Sequence, residues 1–436
     1  MEIQEPYGKR DTSPYFFYPM FHPSKHLLSL EEIDTFCSTL ERRSEKAENA
    51  SLYIHIPFCD SFCHMCACYK THAPQDPEVF DRYIKGLKTE IRFYASTPYV
   101  SSQEVDFIYF GGGTPSTLPP RHIEQILSFI RQHIRVSKDA AISFEGDVRT
   151  LSDEARLEAL KSSGCNRISF GVQTFHPPSR KQSGLVPKIG DIVNCIEKLR
   201  CHGYKINFDL MFGLPGQDIR IWEQDLETAV ELGADGLDLY ETVVYPTTKL
   251  FRFRHRLTFA GDRERTDMLC HAISFLKENR FVQRTKAIFQ KPDNLLKRPQ
   301  VMYHAGPEDI IAIGDSAIGF LNGFVYRNLS PLGPYLDWNW KETGKPPLRL
   351  GIVPSQRERF TRNMTRLPKC LGIGKSEYHR EIEYFKESLE RLKEKKLVQE
   401  TVDEIRLTDL GLLWTDNIIA DFVSYQDRKR AWKIMY

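Results

Sequence analysis

At 436 residues, with 41% hydrophobic and 27% charged residues, the chain has material for two or three domains with ample cores. A formal net charge of +2 gives no electrostatic case for nucleic acid or an anionic membrane as partner. No stretch approaches the roughly 18 continuous apolar residues of a spanning helix, and MEIQEPYGKRDTSP lacks the apolar run of a signal peptide.

A cytoplasmic location is therefore expected, where clustered cysteines bind metals more often than they form disulfides. Of the ten cysteines, Cys37, Cys165, Cys195, Cys201, Cys270 and Cys370 are scattered and read as small buried residues. The others crowd residues 59 to 68.

Residues 1–50 read as an N-terminal arm with one helix, in LSLEEIDTFCSTLERR. Strand and helix then alternate through 51–285. SLYIHIPF is a strand, and the spacing of Phe80, Tyr83, Ile84, Leu87 and Ile91 predicts a helix over 77–96. VDFIYF, AAISFEG, NRISFGVQ, KINFDLMFG and DGLDLYETVVY are further strands, each followed by a helical pattern. Short apolar strands alternating with helices imply parallel βαβ units. Six in series, without a dinucleotide glycine fingerprint, predict an α/β fold, a partial (β/α)6 barrel with its chemistry at the C-terminal strand ends.

Residues 286–350 read as strands closing or flanking the barrel, in PEDIIAIGDSAIGFLNGFVYRN, and a linker or ordered crossing rich in Pro, Gly and Trp. Residues 351–436 predict an α+β module of winged-helix type: a charged helix, the strand pair LVQET and EIRLT, and a C-terminal helix. It has no basic recognition helix, so a lid is expected rather than a DNA reader. GIGK at 372–375 lacks the spacing and hydroxyl partner of a phosphate loop.

The first strand runs into His55-Ile56-Pro57-Phe58-Cys59-Asp60-Ser61-Phe62-Cys63-His64-Met65-Cys66-Ala67-Cys68. Thiolates on Cys59, Cys63 and Cys66, separated by three and then two residues, can each take one iron of a [4Fe–4S] cubane. The fourth iron is left open for the amino and carboxylate groups of S-adenosylmethionine (SAM), whose sulfonium accepts an electron and releases a 5′-deoxyadenosyl radical. A zinc site, with Cys68 or His64 as fourth ligand, is the competing reading. Cys68, two residues past Cys66, is taken as a non-ligand.

YIHIPFCDSFCHMCAC resembles the radical SAM branch of the oxygen-independent coproporphyrinogen III dehydrogenase family. The resemblance continues through GGGTPSTL, EALKSSGCNRISFGVQTF, NFDLMFGLPGQ and DLYETVVYP, over about residues 50–250. It implies SAM contacts from Tyr53, Met65, Gly112, Gly113, Thr114, Glu145, Gln173 and Asp209. One departure is Leu185, where the family has an arginine, and Arg180 and Lys188 are the candidates to replace its charge.

The family holds dehydrogenases, haem-trafficking proteins and class C methyltransferases that use two SAM molecules. EGDVRTLSDE, WEQDL and DGLDLYETVVYPTTKL favour the methyltransferase branch, of the anaerobic haem-degrading type, and residues 281–300 lack the segment expected of a dehydrogenase. The resemblance thus implies a planar substrate, haem or another tetrapyrrole, and a reducing donor such as flavodoxin or ferredoxin. Coproporphyrinogen dehydrogenase, haem chaperone and quinone or natural-product methyltransferase are the alternatives. Tyr240, Glu241 and Tyr245 are expected to line the substrate site, with Tyr240 and Glu241 as catalytic candidates; core and loop packing is their equal alternative. His304 reads as a loop histidine, or as an axial ligand if a haem binds.

Overall fold

The computed structural model describes residues 6–11, 18–22, 25–44, 49–297 and 308–428; His304 lies outside them. The first strand, β1 (Ala50–Ile56), is buried along nearly its whole length, as expected of a parallel strand covered on both faces. Two short strands, β2 (Phe58–Cys59) and β3 (Thr71–His72), bracket the cysteine loop. The barrel continues with β4 (Val105–Gly112), β5 (Val136–Gly146), β6 (Arg167–Gln173), β7 (Lys205–Phe212) and β8 (Gly236–Glu241). β9 (Val282–Gln283) and β10 (Ile288–Gln290) follow, then β11 (Ile310–Ile313), β12 (Ile318–Leu321), β13 (Phe324–Asn328) and β14 (Leu348–Ile352).

Among the described residues these form one sheet of twelve strands, ordered β14-β13-β12-β11-β1-β4-β5-β6-β7-β8-β10-β9. β1, β4, β5, β6, β7 and β8 run parallel in chain order, giving the partial barrel the sequence pattern predicts. β11 adds a further parallel strand beside β1, and the strands beyond it and beyond β8 are antiparallel.

The helices shield the barrel as their apolar spacing requires. Pro77–Ser96 starts with Asp76 accepting from the Glu78 amide and Pro77 in the first turn, and it buries Phe80, Tyr83, Ile84, Leu87 and Ile91. Trp222, in the helix Ile219–Glu231, is fully buried, and its indole N–H donates to the Met268 carbonyl at 2.9 Å, tying two neighbouring helices together.

The stretch that reads as a linker or ordered crossing is ordered. It carries the helices Leu332–Leu336 and Trp340–Thr343, buries Tyr335, and ends in β14, so the flanking unit closes at Ile352. The tie is Glu90, fully buried in the helix Pro77–Ser96. It accepts from the Gly314 amide at 3.0 Å, the Tyr335 hydroxyl at 2.8 Å and the Asn328 side-chain amide.

The C-terminal module has its own core, which includes Met364, Leu367, Leu389, Leu392, Leu407 and Phe422. Its strands β15 (Gly372–Gly374), β16 (Val398–Glu400) and β17 (Glu404–Leu407) form a separate antiparallel sheet. The charged helix is broken at Phe385 into His379–Tyr384 and Lys386–Glu394. Ion pairs Lys286–Asp416 and Arg366–Glu308, both at 2.6 Å, bolt the module to the barrel edge. Among the described residues no helix is long and apolar enough to cross a membrane.

Burial pushes the Glu90 carboxyl up from 4.5 to about 7, against the pull of its three donors. A raised folded value means the folded state holds the proton more tightly. The resulting stability is complete below about pH 4.5 and is lost as pH rises through about 7. The denaturant midpoint of the wild type is expected to fall between about pH 5 and about pH 8 more steeply than that of Glu90→Gln. Equal slopes would show that Glu90 is not the titrating group.

Candidate active site

The cysteine loop leaves β1 and returns through β3, which pairs in parallel with β2. The Thr71 amide donates to Pro57 O at 2.7 Å and the Ala73 amide to Cys59 O at 2.9 Å. From the other side, the Gly113 and Thr114 amides donate to Ile56 O and Phe58 O at 2.8 and 2.7 Å. Within the loop, the His64 amide bonds Ser183 O at 2.9 Å, and the Lys70 ammonium spans Cys66 O and Cys68 O at 2.9 and 3.0 Å.

Cys59 is buried, and the Thr114 hydroxyl donates to its sulfur at 3.3 Å. Burial pushes the Cys59 and Cys63 thiols up to about 11, and each of these sulfurs also feels the charge on Cys66. The Cys68 thiol donates to Cys66 and holds Cys66 below its ordinary value, which gives Cys68 a supporting part. Among the described residues no three side chains form the group a single metal ion needs. A cubane makes no such demand, since each thiolate takes a different iron.

The glycines after β4 form a tight cradle. Gly112 has φ of 116°, and a Cβ there would meet the His55 ring at 2.6 Å. A Cβ on Gly113 would meet the Pro57 carbonyl at 2.7 Å. Beside them, Glu145 accepts from the Tyr109 hydroxyl and, at 3.2 Å, from the Gly112 amide. Burial pushes Glu145 up to about 7, opposed by those two donors. The Tyr53 ring stacks on Tyr109 at 6.1 Å, and its hydroxyl meets His55 Nδ1 at 3.0 Å. Burial lowers the imidazole to about 4, so the ring is neutral, and its Nε2 is buried without a partner.

Deeper in the barrel, Asp209 accepts from the Ser169 hydroxyl at 3.1 Å. Burial first, and then the charges of Asp238 and Glu145, raise its carboxyl well above the carboxylate range. Asp238 is raised by burial too, with Arg167 opposing. A small cavity beside Asp238 is lined also by Tyr109, Ser143, Arg167, Ser169 and Asn207, among others. Oδ1 of Asp238, Oε1 of Gln173 and one guanidinium nitrogen of Arg167 are buried there or nearby without partners. Gln173 itself has φ of 67°, an uncommon backbone for a non-glycine residue at the end of β6. Arg167, Asp238, Tyr109 and His55 were missed by motif reasoning. Their signal was a charged or polar residue inside an otherwise apolar strand.

Met65, Leu214 and Leu250 form a buried apolar group, with Cys63, Leu185, Met211, Val244, Leu257 and Phe259 packed against it. Leu185 thus belongs to an apolar wall beside the cysteine loop. Arg180 is anchored by backbone: its guanidinium donates to Val172 O, Thr174 O and Pro187 O, each at 2.7 Å. Lys188 is exposed. Glu241 is engaged as well, by Arg10 at 2.7 Å and Arg265 at 2.9 Å, one on each oxygen. It anchors the N-terminal arm. The Tyr240 hydroxyl reaches Asp238 Oδ2 at 3.5 Å.

The residues fit a [4Fe–4S] cluster with SAM. The thiols share one pinned loop, the glycine cradle excludes any side chain, and the unpartnered atoms await a polar ligand. A family model described as the radical SAM superfamily matches residues 53–229, and this class of protein carries that cluster and SAM.

The chain is 29% identical to the heme chaperone HemW of Bacillus subtilis (strain 168), over 86% of this chain and 99% of that protein. It is 28% identical to anaerobilin synthase of Escherichia coli O157:H7, over 84% and 82% respectively. The solved structure of coproporphyrinogen III oxidase (HemN) from Escherichia coli, a radical SAM enzyme, matches with TM-score 0.78 and 26% identity over 94% of this chain and 97% of that one. Over most of its length the chain is thus similar to HemN-like radical SAM proteins.

Cys59→Ala, Cys63→Ala and Cys66→Ala are each expected to lose the iron–sulfur absorption after anaerobic reconstitution, while Cys68→Ala keeps it. Loss in Cys68→Ala to the same extent would sink the three-ligand assignment. Gly113→Ala forces a Cβ against backbone that cannot move aside, so SAM affinity by equilibrium dialysis is expected to fall about tenfold or more. Unchanged affinity would show that the cradle does not touch SAM.

Proposed function

We propose that the protein is a radical SAM C-methyltransferase acting on a planar substrate, with haem or a related tetrapyrrole favoured. The observation that carries this reading is the apolar wall of Met65, Leu185, Met211, Val244 and Phe259 set beside buried carboxyls on the barrel strands. Among relatives, anaerobilin synthase, matched over 84% of the chain, supports it.

Cys59, Cys63 and Cys66 hold the cluster. When bound, the reduced cluster supplies the electron that cleaves SAM and so provides a hydrogen-abstracting radical. Gly112, Gly113, Thr114, Glu145, Gln173 and Asp209 bind and orient SAM, and Tyr53 and Met65 complete its surroundings. Glu145, as a carboxylate, accepts from the ligand's hydroxyl groups. The apolar wall excludes water and offers a flat substrate a face on which to lie. A second SAM serves as methyl donor. Methyl addition to an sp² carbon leaves a proton to be removed, and Asp238 with Tyr240 is the pair assigned to hold it, because burial makes that carboxyl a better proton acceptor than an exposed one. The C-terminal module acts as the lid.

A second reading, haem chaperone, is favoured by the match to HemW over 99% of that protein's length. The two separate in an anaerobic assay with SAM and dithionite, offering haem, coproporphyrinogen III and a demethylated quinone in turn. Methyl transfer is expected to yield 5′-deoxyadenosine and S-adenosylhomocysteine together, with one substrate gaining a methyl-derived carbon. Deoxyadenosine without S-adenosylhomocysteine would rule methyl transfer out in favour of a dehydrogenase. Haem bound and returned unmodified would establish the chaperone.

A further inference from the structure

Between β8 and the helix Asp262–Glu278, the chain runs KLFRFRHR as a short helix, Lys249–Phe253, and a 3-10 turn, Arg254–Arg256. All five residues 252–256 are exposed, and Phe253 shows 45% of its surface. Among the described residues Lys249, Arg252, Arg254 and Arg256 form no ion pair. Arg254 lies over the Phe251 ring, 3.6 Å from its centroid, and donates to the Phe251 carbonyl.

A run of charge is ordinarily a solvated face. Two further observations set this one apart. It is pinned to the cysteine loop: the Leu250 amide donates to His64 O at 2.9 Å, and the Phe253 ring lies 6.4 Å from the His64 ring. His64 adjoins Cys63 in the chain, so the patch sits against the peptide that carries two of the cluster ligands. Secondly, the patch has an apolar centre. The other side of His64 bonds Gln182 O at 3.1 Å and abuts Gly184, where a Cβ would meet the imidazole at 2.6 Å. Two residues on, Val186 is 55% exposed, and Lys181 and Lys188 around it are exposed as well. Exposed apolar side chains ringed by unpaired cations have the make-up of a transient protein interface.

We propose that Lys249, Arg252, Arg254 and Arg256, centred on Phe253, form the docking surface for an acidic one-electron carrier protein that reduces the cluster. One electron leaves the reduced flavin or iron–sulfur centre of the carrier and one enters the cluster, with no atom exchanged. Opposite charge steers the encounter and fixes its orientation, and the rate is then sensitive to salt. The inference rests on Cys59, Cys63 and Cys66 holding the cluster, and is independent of the substrate.

The test uses reconstituted holoenzyme and an acidic flavodoxin as probe, with the variant Arg252→Glu/Arg254→Glu/Arg256→Glu. Calorimetry of oxidised flavodoxin binding and stopped-flow bleaching of the cluster by reduced flavodoxin are each expected to weaken about tenfold or more. Reduction by dithionite is expected to be unchanged, and the Arg→Lys triple variant to behave as wild type. Flavodoxin binding and reduction at wild-type values would overturn the proposal. So would intact flavodoxin reduction with weakened substrate affinity, which would assign the patch to carboxylates of the substrate. If the reversed variant does not fold, the Arg→Ala triple decides by the same criteria. Failure of wild-type protein to assemble a cluster would instead break the ligand assignment.

Discussion

Phe58 and Cys59 pair with Thr71 and His72 on one side, and Gly113 and Thr114 donate into the same stretch from the other. The cysteine loop therefore enters and leaves through backbone that is hydrogen-bonded on both flanks, and the thiols are presented by a closed ring of chain rather than a free loop. The glycines at 112 and 113 follow from this. Their amides must approach within hydrogen-bonding distance of strand carbonyls and of Glu145, which leaves no room for a Cβ. The end of β4, the position of Glu145 and the packing of His55 all depend on that close approach.

Beneath the cluster the barrel does something costly. It buries Glu145, Asp209 and Asp238 with Arg167 as the nearby cation, and leaves Oδ1 of Asp238 and one guanidinium nitrogen of Arg167 without partners. Desolvation of this kind opposes ionisation and destabilises the empty fold. The same groups gain partners when a polar, cationic ligand enters, so folding stability is exchanged for ligand affinity. At the barrel rim, Arg10 and Arg265 each take one oxygen of Glu241, and three backbone carbonyls accept from Arg180. Charge is thus used structurally at the rim and left unsatisfied inside, which separates scaffold from site.

The barrel and the cysteine loop were legible because both are local. Helix 77–96 announces itself by spacing and by Asp76-Pro77, and the loop by three cysteines after an apolar strand. What escaped involves partners distant in sequence. The ion pair on Glu241 comes from Arg10, 231 positions away. The stretch near 335 leaves linker and ordered crossing undecided, because its order comes from Glu90, 245 positions away. β11 enters the parallel side by pairing with β1, which no periodicity can reveal.

The central claim is that three thiolates leave one iron open for SAM. Electron paramagnetic resonance of the one-electron-reduced protein, recorded with and without SAM, tests it most directly. The account predicts a [4Fe–4S]+ signal whose shape changes when SAM is added, in wild type and in Cys68→Ala alike. A signal indifferent to SAM, or one that responds only after Cys68 is removed, would mean that the fourth iron is already held by the protein.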